Sequence, residues 1–250
     1  MRSPVVVSVL LECRGATMSS MVEKNPLKIS GMFDRIVPRY DLVNSLMSFG
    51  MDRRWRSLAA RLAAGPGDRA LDVGTGTGYL ARELHQTGAS PVFAVDFSTR
   101  MLATAAERVA DGEADIAWLH ADAQRLPFTD GSFDCVTNAF LLRNLSDLTS
   151  GLREMARVLK PGGRLVCLDI TQPPGGPFGV AYRLYFERLV PLVGGLISSD
   201  REAYRYLPSS LKGFPDAASL ADLLAEVGLI NVRTRLLGGG SVALHRAIKR

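Results

Sequence analysis

Cysteine is scarce in this 250-residue chain, with only Cys13, Cys135 and Cys167 present. An odd number at wide separation supplies neither a disulfide framework nor a metal-ligand pair, and it fits a reducing, cytoplasmic setting. Histidine is as sparse: His85, His120 and His245 stand apart without ligand spacing, so no metal is expected. An excess of one charge is also missing. Lys and Arg number 30 against 25 Asp and Glu, a net +5, and the basic residues are dispersed without a run interleaved with aromatics. That argues against a nucleic-acid partner and leaves a mildly basic surface suited to brief contact with an anionic membrane. Long hydrophobic runs are lacking too. "LVPLVGGLI", residues 189–197, is broken by Pro191, Gly194 and Gly195, well short of the ~18 apolar residues that a span needs.

The first residues lack a signal peptide's features, because the apolar run from Val5 to Leu11 ends at Glu12 with no small-residue cleavage site. Residues 1–27 are expected to be a disordered extension or to precede a true start at Met18 or Met21, and residues 28–250 a single domain. At 47% hydrophobic the chain can bury a substantial core.

Phe33 and Ile36, then Leu42, Val43, Leu46 and Met47, fall at helical spacing on either side of Pro38, which predicts short helices ahead of a sheet. From Arg69 the pattern alternates. "ALDVG", "PVFAVD", "DIAWLH", "SFDCVTNAF" and "GRLVCLDI" are strand-like, with helical patterns between most of them. The alternation predicts an α/β fold with a parallel sheet covered on both faces. One helix is expected to start at a cap on Ser146 or Asp147, to line a face with Leu148, Leu152, Met155 and Leu159, and to stop at Lys160-Pro161-Gly162-Gly163. The last twenty residues read as two strands joined at Gly238-Gly239-Gly240, an antiparallel hairpin on the sheet.

The loop after the first strand carries Asp72, Gly74, Gly76, Thr77 and Gly78. Tyr79 stands where a dinucleotide fingerprint needs its third glycine, and no G-K-[ST] follows, so neither NAD nor a P-loop phosphate is favoured. Such a loop better suits a ligand with a cationic amine and a carboxylate. Asp96 ends the second strand, where an acidic side chain meets ribose hydroxyls; Asp122, followed by Ala123, comes after the third, within reach of an adenine amino group.

With these motifs in place, the chain resembles the class I S-adenosylmethionine-dependent methyltransferases. More narrowly it resembles the ubiquinone/menaquinone biosynthesis C-methyltransferase family. The class motifs are "LDVGTGTGYL", Asp96 and "ADAQRLPF"; the narrower ones are "MFDRIVPRYDLVNSLMSFGMDRRWR", "LRNLSDLTSGLREMARVLKPGGRL", the block from Tyr185 to Pro215, and "GGGSVALHRAIKR". The resemblance implies a Rossmann-like, seven-stranded sheet with an antiparallel last strand. It implies S-adenosyl-L-methionine as cofactor, held at Thr77, Asp96, Asp122 and Ala123, and a prenylated quinol as acceptor, most readily demethylmenaquinol. The chain departs from the family in reading Ala139-Phe140-Leu141-Leu142-Arg143-Asn144 where many members have S-F-G-L-R-N.

The residue types suit carbon methylation. A ring carbon becomes nucleophilic when its neighbouring hydroxyl is deprotonated, and a phenol titrates near about 10. Arg143, just past the fourth strand, is expected to stabilise the phenolate or order a water that takes the proton, with Asn144 and Tyr40 beside it. Each has a plainer alternative. Arg143 would pair with Asp147 at a helix start; Tyr40 would be packing; Tyr182, Tyr185 and Phe186 would form an ordinary core helix rather than an apolar mouth for a tail, with Arg183 and Arg188 near headgroups. A small-molecule methyltransferase with another acceptor, a non-catalytic cofactor-binding scaffold, and a homodimer all stay open.

Overall fold

The computed structural model describes residues 26–109, 115–172, 175–189, 206, 208–211 and 213–250. Two helices, α1 (Pro26–Met47) and α2 (Met51–Ala63), precede the sheet. The break expected at Pro38 does not occur, and one helix runs through it. A proline inside a helix removes one backbone bond and costs ~3 kcal/mol. The loss is offset here because Ile29, Phe33, Ile36, Tyr40, Val43 and Met47 form one stripe across the proline. Ile36, Val37 and Val43 are buried, so both halves face the same surface.

Seven strands follow: β1 (Ala70–Val73), β2 (Val92–Asp96), β3 (Ile116–His120), β4 (Phe133–Ala139), β5 (Leu159–Ile170), β6 (Leu229–Leu237) and β7 (Val242–Lys249). They lie in the order β3-β2-β1-β4-β5-β7-β6. The first five pair in parallel, and β7 runs antiparallel to both β5 and β6, as the terminal hairpin predicts.

The helices between them are α3 (Tyr79–Gln86), α4 (Thr99–Arg108), α5 (Leu148–Val158), α6 (Pro177–Leu184) and α7 (Ala217–Glu226). Asp147 caps α5, its carboxylate accepting the Ser150 N–H at 3.0 Å. That helix ends at Val158. Leu159, expected on the helix face, already pairs with Phe133, and the Lys160-Pro161-Gly162-Gly163 segment expected to stop the helix lies between that pair and the pairing of Arg164 with Cys135. A register shift between Phe133 and Cys135 accommodates the proline and glycines there.

Leu71, Val73, Val136, Leu152, Met155 and Leu224 pack on one face of the sheet; Ala59, Ala63, Leu80, Leu84, Val166 and Leu168 pack on the other. Because β1 and β4 are neighbours from which the chain moves off in opposite directions, a crevice opens beyond their carboxyl ends. Gly78, which opens α3 at φ +77°, fits that geometry for steric reasons. A Cβ there would lie 2.6 Å from the Trp118 ring and 2.9 Å from the Ala105 Cβ. Gly78→Ala is expected to cost ~2 kcal/mol or more, through both the clash and the left-handed backbone. Urea unfolding should show it as a lower midpoint at unchanged slope; an unchanged midpoint would show that the Trp118 contact yields freely.

Candidate active site

Asp96 organises the crevice. Its Oδ2 accepts the Gly76 N–H at 2.7 Å and its Oδ1 the Ser98 N–H at 2.8 Å, so one carboxylate ties the glycine loop to the start of α4. Burial pushes its pKa up, and these backbone bonds pull it down. A pocket over this carboxylate is lined by Gly74, Gly76, Asp96, Asp122, Ala123 and Asn144. Ile29, Ser30, Phe33 and Tyr40 of α1 roof it.

Asp72 sits at the end of β1, buried, and accepts the Thr137 hydroxyl at 2.9 Å while its Oδ2 has no hydrogen-bond partner. Burial pushes its pKa up to about 7, against the pull of the Thr75 and Thr137 hydroxyls beside it. Two carboxylates facing the pocket, Asp96 and Asp122, and an open glycine backbone at Gly76, with the unpartnered Asp72 oxygen behind that loop, fit a ligand with ribose hydroxyls, a flat base and an amine. S-adenosylmethionine is such a ligand.

The corner after β4 is built on Phe140. It takes φ +62°, and its carbonyl accepts both Arg143 Nη1 at 2.8 Å and Asn144 Nδ2 at 3.2 Å. The pairing of Arg143 with Asp147 does not occur. Arg143 lies 2.6 Å from Asp169 on β5, with only 4% of Arg143 and 2% of Asp169 exposed, and its Nε is buried without a partner. Asp147 instead holds Ser150, as the helix cap.

A second, larger cavity of about 520 Å3 opens beside the first. Its walls are mostly apolar: Met47, Phe49, Met51, Trp55, Tyr182, Tyr185 and Phe186, with Arg143 projecting into it. Tyr40 and Phe140 line both cavities and are the partition between them. Arg56, paired with Asp52 at 2.8 Å, lies 4.9 Å from the Phe140 ring centroid and braces that partition. Burial raises the Tyr40 pKa, while Arg56 and Arg143 lower it.

Of the residues picked from sequence, Gly74, Gly76, Asp96, Asp122, Ala123, Asn144 and Tyr40 meet at the first cavity, and Arg143 and Tyr40 at the second. Asp72, Thr77 and Gly78 stand behind the walls; the Thr77 hydroxyl is turned to Asp41 of α1 at 2.8 Å. Leu141 packs on the glycine loop, where a Cβ added to Gly74 would lie 2.7 Å from its side chain. Phe140, Arg56 and Asp169 were not anticipated. The one signal available for Asp169 was its place at the carboxyl end of a strand.

Comparison with known proteins agrees. The model of the ubiE/COQ5 methyltransferase family matches residues 20–249. The demethylmenaquinone methyltransferase of Beutenbergia cavernae is 45% identical over 231 residues, 92% of this chain and 94% of that protein. The demethylmenaquinone methyltransferase of Thermus thermophilus is 47% identical over 216 residues, 86% of this chain and 98% of that protein. A solved S-adenosylmethionine-dependent methyltransferase from Thermotoga maritima shares the fold, with a TM-score of 0.63 at 21% identity over 89% of this chain and 100% of that one. Sheet order and pocket thus define an S-adenosylmethionine-dependent methyltransferase. Within that class the chain belongs to the ubiE/COQ5 methyltransferase family.

The raised Asp72 pKa gives a test with a definite sign. A carboxyl that titrates at about 7 when folded and near 3.8 when unfolded costs no stability below pH 4, a growing amount as pH rises from 4 to 7, and its full amount above. Asp72→Asn should therefore leave stability unchanged at pH 4 and raise it progressively toward pH 7, by an amount of order 1 kcal/mol or more. A constant difference across that range in denaturant titrations would show that Asp72 titrates normally.

Proposed function

We propose that the protein transfers a methyl group from S-adenosyl-L-methionine to a ring carbon of a prenylated quinol, demethylmenaquinol in the first instance. The observation that carries this reading is the pair of cavities divided only by Tyr40 and Phe140, one lined for a nucleoside and the other apolar and aromatic with a buried guanidinium. The names of the relatives support the same acceptor.

When bound, S-adenosyl-L-methionine supplies an electrophilic methyl group on a sulfonium centre. In this reading Asp96 receives the ribose hydroxyls, Asp122 and Ala123 the adenine, and Gly74 and Gly76 the amino-acid end, with Asp72, Thr77 and Gly78 shaping the loop from behind. Arg143 holds the oxygen of the quinol as it becomes an oxyanion. A guanidinium does not itself give up its proton, so it lowers the hydroxyl's pKa from about 10 and leaves the proton to a water that it orders. Asn144 and Tyr40 fix the ring against the partition. Opposite charges vanish as the methyl moves, and walls that exclude water favour that step.

The acceptor's tail also needs a path. Leu42, Leu46 and Phe49 are exposed on one side of α1 and its end, Val180 and Leu184 are exposed on α6, and Phe49 stacks on Tyr185 at the chamber wall. Arg54 and Arg188 are exposed nearby in sequence, without an ion-pair partner among the described residues. In this reading the protein works from the cytoplasmic face as a peripheral protein, and these residues meet an anionic bilayer. Residues 190–197, the rest of the segment expected at the mouth, lie outside the described residues.

Labelled S-adenosylmethionine incubated with a panel of demethylated quinols should give a ring-methylated product by mass spectrometry. Arg143→Lys should lower turnover roughly 100- to 1000-fold at nearly unchanged cofactor affinity, with partial recovery at high pH. Normal turnover would remove Arg143 from the chemistry. Anionic liposomes should stimulate reaction of a long-tailed acceptor more than a short-chain one, and a Leu42→Ser, Leu46→Ser double variant should lose that difference. Equal stimulation of both acceptors would sink the membrane reading.

A further inference from the structure

α1 stands outside the two main apolar layers. Its own cluster is small: Met32, Ile36 and Val43, with Phe33, Tyr40, Met47 and Tyr206 packed against it. Pro38 has removed one of its internal hydrogen bonds. Polar contacts supply the remaining hold, and they land in telling places. Asp34 accepts the hydroxyl of Ser98, and Asp41 accepts that of Thr77 and pairs with Arg108. Ser98 supplies one backbone N–H to Asp96, and Thr77 follows Gly76, which supplies the other. The helix is therefore tied to the same two loops that the Asp96 carboxylate gathers.

α1 roofs the first pocket with Ile29, Ser30, Phe33 and Tyr40, so a ligand settling against Asp96 lies under the helix. The same helix continues from Tyr40 through Asn44 and Met47, which line the neighbouring chamber. Just past its end, Phe49 and Gly50 both take positive φ, a turn that can serve as a hinge.

We propose that α1 is a lid latched by Asp34 and Asp41, that it lifts for each exchange of cofactor, and that its closure completes the acceptor chamber, so that the cofactor binds first and the quinol second. The lid stands on the latch geometry alone, whereas the order rests on the two-chamber reading above. Asp41 is then a positioning residue: it touches neither ligand and acts through Thr77 and α1. Filling the first pocket fixes the loops that carry Thr77 and Ser98, the latches close on ordered partners, and Tyr40, Asn44 and Met47 come to rest as the chamber wall. Occupation of one cavity is thereby coupled to the shape of the other.

The test is the release of S-adenosylhomocysteine, followed by stopped flow on the full chain. Asp34→Asn and Asp41→Asn keep the side-chain shape but weaken a charge-assisted hydrogen bond, and each should speed release roughly tenfold. Unfolding temperature without ligand should change little, and the KM for a short-chain demethylated naphthoquinol should rise more than kcat falls. Arg108→Gln, which removes the second partner of Asp41 from outside α1, should speed release in the same direction and covers the case of a poorly folding Asp41 variant. Release rates equal to the native one in all three variants, or faster only in proportion to lost folding, would overturn the lid. Calorimetry decides the order: the quinol analogue should bind tightly only when S-adenosylhomocysteine is present, and equal binding without it would overturn that half of the proposal. Faster release together with no quinol turnover by the native protein would uphold the lid and overturn the acceptor reading instead.

Discussion

A half-buried carboxylate at the end of β2, with His120 nearby, takes its direct hydrogen bonds from the backbone, and the site is arranged around how Asp96 is held. Burial works against ionisation; the Gly76 and Ser98 N–H groups work for it. Two backbone donors can be brought to one carboxylate only if the loops after β1 and β2 both turn back toward it. The glycine loop supplies the first turn, and the start of α4 supplies the second, with Ser98 as its cap through a bond from the Met101 N–H at 3.0 Å. Each oxygen of the carboxylate thus has one protein donor and retains acceptor capacity toward the pocket. The loops are shaped by the demand of the charge as much as by any ligand.

The charge at Arg143 is treated differently. Arg143 and Asp169 neutralise one another in a region with almost no solvent. Replacing such a pair by apolar residues is often neutral or stabilising, whereas removing one partner costs ~3–5 kcal/mol, so the pair is poorly explained as a stabilising device. Its geometry makes more sense as orientation. Asp169 and the Phe140 carbonyl both take hydrogen bonds from Nη1, fixing the plane of the guanidinium at the chamber wall. A long flexible side chain becomes a rigid fork, which is what stabilising a developing oxyanion requires.

Much of this was legible in the sequence, for a physical reason. Residues that end strands are placed by the sheet, so Asp96, Asp122 and Arg143 could be assigned to one edge as soon as the strand pattern was read. The same holds for the terminal hairpin, where apolar alternation and three glycines leave little choice. What escaped was decided by tertiary contact. Pro38 is a helix breaker by local chemistry, and only the continuous buried stripe on α1 overrides it. Lys160-Pro161-Gly162-Gly163 does follow the helix stop, but Leu159, expected on the helix's apolar face, pairs with Phe133 of β4 instead, and the four residues lie in the irregularity before Arg164 pairs with Cys135. Asp147, close in sequence, was the partner weighed for Arg143, but the helix N-terminus beside it claimed it as a cap. Asp169 is 26 positions away, and only the parallel pairing of β4 with β5 brings it near.

Phe140 shows how these constraints converge on one residue. Left-handed backbone at a bulky side chain costs of order 1–3 kcal/mol and persists only where the surroundings require it. At φ +62° the carbonyl of Phe140 meets both Arg143 and Asn144, and its ring stands between the two cavities with Arg56 and Arg143 near it. Glycine would adopt this backbone without strain, but it would remove the ring and merge the cavities. A β-branched residue would supply bulk but resist the conformation. An aromatic residue held in a strained turn meets both demands, and the hydrogen bonds donated by Arg143 and Asn144 to its carbonyl offset the strain. The partition is therefore as dependent on the buried Arg143 pair as the placement of Arg143 is on the partition.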